Sequence, residues 1–290
     1  MFHIGILQLT QNLDDAVRGF KQKLAALNIP AVYEYRNVDG NTAVLPQAAQ
    51  ELSDLAVDLI FACSTPAALA AQNLPGQIPV IFTPVFDPVS AGLVASLAAP
   101  GGKVTGMSGM VRAVDKISFI KELLPTAKKI CLLLPMYDAN SQIEAKNFHK
   151  AASGQLTVCD LELQEQTDIS LLGEQLPNDI DALFLPIGRI LEENFSSIAY
   201  YAEAKGIPIV ASHAPNVAMG ALGALCASHM RLGEDCALQA KAILLEGKKA
   251  AATAVGLPKD PEILLNSFVA ENLGIDLPAA LVKRAKEIYK

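Results

Sequence analysis

The feature that most constrains this chain is the alternation of apolar runs of strand length with segments of helical periodicity. Residues 2–9 form the first apolar run, and residues 14–27 then place Val17, Phe20 and Leu24 on one helical face. Parallel strands need crossover connections of this kind, so the pattern predicts parallel sheets with helices on both faces. Further strands of the first half are predicted at residues 31–35, 57–62 and 78–82.

The same rhythm restarts after Gly109. No low-complexity linker divides the chain, which predicts two α/β units joined by a short crossover near residues 107–115. The predicted strands and helices of the tail are shorter, and they could pair with either half. Strands of the second half are predicted at residues 129–134, 156–161, 182–185 and 207–211, and tail elements at 221–228, 232–245, 262–266, 268–273 and 278–289.

The net charge argues against nucleic acid as a partner. The 290 residues carry a net charge of -7, so no basic surface is expected to neutralise phosphates, and Trp is absent. The five cysteines are scattered and form no CxxC pair, which predicts free buried thiols rather than a zinc or redox site. They are Cys63, Cys131, Cys159, Cys226 and Cys236.

The chain lacks the motifs that carry common catalytic chemistry. It has no GxGxxG, no phosphate-binding GxxxxGK[ST] and no HExxH, and its four histidines show no metal-ligand spacing. An SxxK match at residues 118–121 lies inside an amphipathic helical segment without a supporting motif. We therefore expect a protein that is not an enzyme, with no catalytic residues, no metal and no cofactor.

The first residues, MFHIGILQLTQ, do not match a secretory signal peptide, because they lack a basic region and Gln8 interrupts the apolar run. No apolar run approaches the roughly 18 residues of a membrane span. Composition alone leaves two locations open, a cytoplasmic one and one outside the cytoplasm after removal of a leader.

The stretch at residues 78–109 carries the most informative local pattern. It predicts a buried strand, a turn with Asp87 and Pro88, a short apolar helix, a glycine-rich reversal at residues 100–102, and a second strand from Lys103. Ligands of open α/β sheets bind at the carboxyl ends of the strands. We therefore expect Asp87 at a ligand site, and capping of the following helix is the structural alternative.

The amino-acid sequence within this stretch, DPVSAGLVASLAAPGGKVTG, resembles the signature of bacterial ABC-transporter substrate-binding proteins, a family that includes aromatic amino acid binders. Three further segments resemble the same family, so the resemblance covers nearly the whole chain. They are CSTPAAL at residues 63–69, KELLPTAKK at 121–129 and EILLNSFVAENLGIDLP at 262–278.

The resemblance implies two Rossmann-like lobes joined by a hinge, as in type I periplasmic binding proteins. Lobe one would contain residues 1–110 plus 228–248, and lobe two residues 111–227 plus 249–290. The implied function is that of a monomeric receptor for a small polar solute, held between the lobes by hinge closure. This solute would be an amino acid or a related compound, and an aromatic one is an open alternative. Its partners would be the permease subunits of an ABC importer, and its location periplasmic, or extracellular and membrane-anchored. A sensory or regulatory module of the same fold is the alternative.

Ligand contacts are expected from the strand ends of both lobes. Gly188 and Arg189 stand where many relatives carry an acidic residue and an amide, so lobe two is expected to be poor in carboxylates and Asp87 to be the main anion. Arg189 could hold a carboxylate in two hydrogen bonds or be a solvated charge. The candidate ligand-binding residues are Gln8, Ser64, Thr65, Asp87, Tyr137, Asn140, Ser141, Gly188, Arg189, Ser212, His213 and Ser228.

Overall fold

The computed structural model describes residues 1–290 apart from the side chains of Gln166 and Thr167. Its strands are β1 (Phe2–Gln8), β2 (Ala31–Asn37), β3 (Leu59–Cys63), β4 (Val80–Val85), β5 (Val104–Ser108), β6 (Lys129–Pro135), β7 (Thr157–Leu163), β8 (Ala182–Leu185), β9 (Ile209–Ala211), β10 (Gly223–Cys226), β11 (Glu262–Asn266) and β12 (Glu287–Tyr289). Its α-helices are α1 (Asp14–Ala26), α2 (Leu45–Asp54), α3 (Thr65–Gln72), α4 (Ala113–Leu123), α5 (Ala139–Ala152), α6 (Leu172–Gln175), α7 (Arg189–Glu193), α8 (Phe195–Ala204), α9 (Pro215–Ala218), α10 (His229–Leu244), α11 (Ser267–Asn272) and α12 (Ala279–Arg284).

The chain divides into two compact units, each built from two segments. Unit 1 contains residues 1–110 and 227–259, and unit 2 contains residues 111–226 and 260–290. The assignment of residues 249–259 to the second lobe is therefore wrong. Val255 packs into the apolar core of unit 1, and the carbonyl oxygen of Thr253 accepts a 2.6 Å hydrogen bond from the Thr105 hydroxyl. These contacts hold the segment after α10 on unit 1.

Unit 1 contains a parallel five-stranded sheet in the order β2-β1-β3-β4-β5. Helices α1 and α10 cross in backbone contact on one face. A Cβ atom at Gly19 would lie 2.1 Å from the carbonyl oxygen of Met230, and one at Gly233 would lie 2.0 Å from that of Ala16. No side chain larger than hydrogen fits either position, so these two glycines set how closely the helices approach.

Unit 2 contains a seven-stranded sheet in the order β12-β11-β10-β9-β8-β6-β7, in which only the β10–β11 pair is antiparallel among the pairings described. The predicted terminal helix over residues 278–289 is wrong in its second half. Helix α12 ends at Arg284, Ala285 is extended, and β12 then pairs with β11. The α/β class with two largely parallel sheets is confirmed.

The segment after Asp87 contains no helix, so the short apolar helix predicted there is wrong. Ala91 donates its N–H to the carbonyl oxygen of Asp87, and Gly92 then adopts a positive φ of 73° that ends the turn. Leu93 and Val94 nevertheless lie in the core of unit 1. The apolar side chains of this segment are thus buried by a chain of turns. None of the described helices has both the length and the apolar character that a bilayer crossing requires.

Candidate ligand-binding site

The strand ends of unit 1 bring Gln8, Ser64, Thr65 and Asp87 to the carboxyl edge of one parallel sheet, as predicted from their positions after β1, β3 and β4. Gln8 is fully buried. Its amide nitrogen donates to the carbonyl oxygen of Thr10 at 2.7 Å and to Oδ1 of Asp14 at 2.8 Å, and its oxygen accepts from the Tyr35 hydroxyl. The amide of Gln8 therefore orders the loop after β1 from inside the unit.

Ser64 caps helix α3 from a strained backbone position. Its φ is 105° and its Oγ accepts a 3.3 Å hydrogen bond from the N–H of Ala67. The strain of a serine backbone in this sparsely populated region costs on the order of 1–3 kcal/mol, and favourable contacts elsewhere in the fold offset it. The next residue, Thr65, begins the helix with an N–H and a hydroxyl that have no hydrogen-bond partner within the described part of the chain. Such donors at a helix N-terminus suit a carboxylate.

Asp87 holds the turn that follows β4. Its Oδ1 accepts the N–H groups of Val89 and Ser90 at 3.0 Å each, and its Oδ2 accepts the Ser90 hydroxyl at 2.7 Å. The capping geometry predicted as the structural alternative is thus present, although it stabilises a turn rather than a helix. Ser228, which also lies in unit 1, caps α10 in the same way and is mostly buried.

In unit 2, three of the predicted residues follow β6: Tyr137 lies in the loop, and Asn140 and Ser141 lie in the first turn of α5. Tyr137 is 45% exposed and Asn140 is exposed as well. Ser141 is buried, and its hydroxyl donates a 2.9 Å hydrogen bond to the carbonyl oxygen of Ile187. Asp138 is the N-cap of α5, because its Oδ1 accepts the N–H of Ser141 at 3.0 Å. Tyr137 and Asn140 are therefore accessible to a ligand, and Ser141 supports the neighbouring loop.

Gly188 precedes α7 and packs closely against the side chain of Ser141. A Cβ atom would lie 2.4 Å from Oγ of Ser141 and 3.3 Å from Oδ2 of Asp138. The side chain of Arg189 is 79% exposed and pairs with Glu193 at 3.4 Å. Of the two alternatives for Arg189, the structure thus shows the solvated charge with a neighbouring carboxylate on its own helix.

Ser212 belongs to a buried ionic network that the sequence analysis missed. The Lys116 ammonium group donates to Oε1 of Glu144 and, at 2.7 Å, to the Ser212 hydroxyl, which donates to the same carboxylate oxygen at 2.7 Å. Oε2 of Glu144 accepts the N–H of Ile187 at 2.6 Å. The side chains of Lys116 and Glu144 are 5% and 4% exposed. This network ties α4 and α5 to the loops after β8 and β9, so Ser212 has a supporting position.

At the carboxyl edge of the sheet in unit 2, the Glu192 carboxylate lies close to the His213 ring and is affected by the charge of Asp138. Nε2 of His213 is 3.7 Å from Oε2 of Glu192. Burial, together with the negative charges of Asp138 and Glu193, raises the pKa of Glu192 to about 7, although a hydrogen bond from the backbone of Gly188 lowers it. The expectation that lobe two is poor in carboxylates is therefore wrong.

Asp138 and Glu192 were missed for identifiable reasons. Asp138 is followed three residues later by Ser141 at the start of a helix, a pattern that indicates a cap rather than a ligand contact. Glu192 and its neighbour Glu193 are adjacent acidic residues in a short helix, and such a pair is typical of a solvated surface. Within the described residues, no group of His, Cys, Asp or Glu has the arrangement of a metal site.

Comparisons with known proteins point to one family. The model of the family described as ABC transporter substrate binding protein matches residues 3–289. A curated relative named tyrosine-binding protein, from Clostridioides difficile strain R20291, is 31% identical over 271 residues, which are 91% of this chain and 78% of that protein.

Two solved structures are similar over the full chain. One is an ABC domain from Streptococcus pneumonia in complex with L-Trp, which is 26% identical with a TM-score of 0.81 and 99% of each chain covered. The other is the ligand-free, open structure of a substrate binding protein with adhesive properties from Clostridium difficile, which is 26% identical with a TM-score of 0.87 and 100% of each chain covered. These likenesses confirm the fold class predicted from the sequence.

Proposed function

We propose that this chain, which belongs to the family of ABC transporter substrate binding proteins, is the receptor of an importer for a free amino acid with an aromatic side chain. The family resemblance predicted from the signature after Asp87 is confirmed by the match to residues 3–289. The names of the relatives support the ligand class, because one is a tyrosine-binding protein and another is in complex with L-Trp.

The observation that carries the proposal is that each unit, taken by itself, offers complementary polar groups at the carboxyl edge of its own sheet. An amino acid zwitterion needs an anion for its ammonium group and hydrogen-bond donors for its carboxylate. Unit 2 offers Asp138 and Glu192 as anions, and unit 1 offers the N–H and hydroxyl of Thr65 at the start of α3. Tyr137, with its exposed ring, is our candidate for contact with the aromatic side chain.

We extend the proposal to the mode of binding and the partners. A ligand that uses groups from both units would favour the conformation in which both contact it, so closure by a hinge motion follows. We propose a monomeric receptor outside the cytoplasm that delivers the ligand to membrane permease subunits. Gln8, Ser141, Ser212 and Ser228 then support the site, and Arg189 is a solvated charge outside it. The remaining proposed ligand contacts are Ser64, Thr65, Asp87, Tyr137, Asn140, Gly188 and His213.

A thermal-shift and calorimetry series with purified protein tests the ligand class. L-tyrosine and L-tryptophan should stabilise the protein, by about 2.7 kcal/mol at 100 times the Kd. Tyramine lacks the carboxylate and 3-(4-hydroxyphenyl)propionate lacks the ammonium group, so each should bind more weakly by tenfold or more. If neither amino acid shifts the melting curve at millimolar concentration, the proposed ligand class is wrong.

Variants of the acidic pair test the assigned contacts. Asp138→Asn keeps a capping oxygen for α5 and Glu192→Gln keeps the shape of the side chain, and each should weaken L-tyrosine binding by tenfold or more. Affinity should also increase as the pH rises through about 7, because Glu192 then ionises, and this dependence should disappear in Glu192→Gln. Arg189→Ala, at an exposed position on the same helix, is the matched control and should leave the affinity unchanged.

A further inference from the structure

Two of the five cysteines are direct partners in the sheet of unit 2. Cys131 on β6 and Cys159 on β7 are paired in the parallel register of these strands. Neighbouring strands lie about 4.8 Å apart, and disulfides join Cα atoms that are roughly 4.4–6.8 Å apart. Side chains of paired residues point to the same face of the sheet, so the register alone brings these two thiols together.

The positions of the sulfur atoms agree with the register. Sγ of Cys159 reaches across to β6 and donates a 3.8 Å hydrogen bond to the carbonyl oxygen of Ile130, the residue before Cys131. Both side chains contact the same apolar core of unit 2.

Access and backbone freedom favour this pair over the other cysteines. Cys159 is half-buried, and the remaining four cysteines of the described chain are buried. Its strand, β7, is at the edge of the sheet and has β6 as its neighbour. An edge strand has packing constraints from one side only, so it can move by the few tenths of an ångström that bond formation requires.

We propose that Cys131 and Cys159 form a reversible cross-strand disulfide when the protein meets a small disulfide oxidant. The Cys159 thiol loses its proton and attacks the oxidant, which forms a mixed disulfide and releases one oxidant thiol. The Cys131 thiol then loses its proton and attacks Sγ of Cys159, which releases the second oxidant thiol. The protein thus loses two protons and two electrons, and the oxidant disulfide is reduced to two thiols.

The order of these steps follows from the surroundings of the two thiols. Burial, together with the neighbouring Cys159, raises the pKa of Cys131 to about 12, so Cys131 is protonated when an oxidant arrives. A buried and protonated thiol is a poor first nucleophile. We therefore expect Cys159 to react first with the oxidant and Cys131 then to resolve the mixed disulfide.

The test uses the intact purified protein and oxidised glutathione. After incubation, the protein is denatured, its free thiols are blocked with N-ethylmaleimide, and the blocked thiols are counted by mass. We expect the count to fall from five to three, and to return to five after dithiothreitol. Trypsin should then yield the peptide 130–146 linked to the peptide 151–189, because lysines and arginines in the chain place every cysteine on a separate peptide.

Variants make the result decisive. Cys159→Ala should prevent the loss of two thiols, Cys131→Ala should retain one glutathione as a stable mixed disulfide on Cys159, and Cys226→Ala should leave the linked peptide unchanged. Circular dichroism of each variant checks that it is folded. The proposal is overturned if the oxidised native protein keeps all five thiols, or if the linked peptides carry Cys63, Cys226 or Cys236 instead.

Discussion

The buried Lys116–Glu144 pair allows a quantitative prediction about the second unit. In Lys116→Met the Glu144 carboxylate keeps its hydrogen bonds from Ser212 and Ile187 but loses the cation that compensates its charge. Removing one partner of a buried ion pair costs about 3–5 kcal/mol, because the remaining charge has no compensation. We expect a loss of that size in the free energy of unfolding.

A second variant separates the charge from the packing. In the double variant Lys116→Met with Glu144→Gln, no net charge remains buried, and the amide oxygen can still accept the N–H of Ile187. Neutral replacements of buried ion pairs are often near neutral for stability. Most of the loss should therefore be recovered, with a remaining cost of about 1 kcal/mol for imperfect hydrogen bonding to Ser212.

Urea unfolding followed by far-ultraviolet circular dichroism measures both effects, and this probe suits a chain without Trp. Lys121→Met is the matched control, since Lys121 is exposed on the same helix and its loss should change stability by less than about 0.5 kcal/mol. A loss below about 1 kcal/mol in Lys116→Met, or a double variant no more stable than the single one, would contradict the reasoning.

Three further predictions concern stability. Because the pKa of Glu192 is raised to about 7 from 4.5, the folded protein gives up stability as the pH rises through that window; Glu192→Gln should therefore be more stable than the parent at pH 8 and equal to it at pH 4 in urea titrations. Gly233→Ala should strongly destabilise unit 1, because its Cβ would lie 2.0 Å from the carbonyl oxygen of Ala16. Gly102→Ala, which has open space around it, should not, and equal melting temperatures of the two variants would contradict this reasoning. Asp87→Ala should lower stability by about 1 kcal/mol through loss of its turn contacts, with or without a ligand, and calorimetric unfolding would detect it.

Much of the fold could be predicted because periodicity reports which side of an element is buried. The strands at 129–134 and 182–185 were placed within a residue of β6 and β8, since both are apolar runs between helical segments. The terminal strand was not, because Glu287–Tyr289 is short and its pairing with β11 depends on tertiary contacts. Local propensity favoured a continued helix there, and the sheet edge overrode it.

The candidate site was predicted less completely, for a different physical reason. Sequence position places a residue at a strand end, but it does not tell which hydrogen bonds the side chain makes. Gln8 and Ser212 were correctly placed and turned out to be used internally. Lys116 and Glu144 were passed over because charged side chains are rarely buried, and only their mutual approach makes burial tolerable.

The close crossing of α1 and α10 has a consequence for how the protein is made. Helix α10 covers the face of the unit 1 sheet formed by Ile4, Ile6 and Phe61, yet more than a hundred residues of unit 2 separate it from β5 in the chain. A nascent chain that has completed all five strands of this sheet therefore still exposes an apolar face. Folding of unit 1 must wait until α10 has been synthesised. We therefore expect the yield of folded protein to depend more on chaperone protection of this apolar face during synthesis than on the stability of the finished fold.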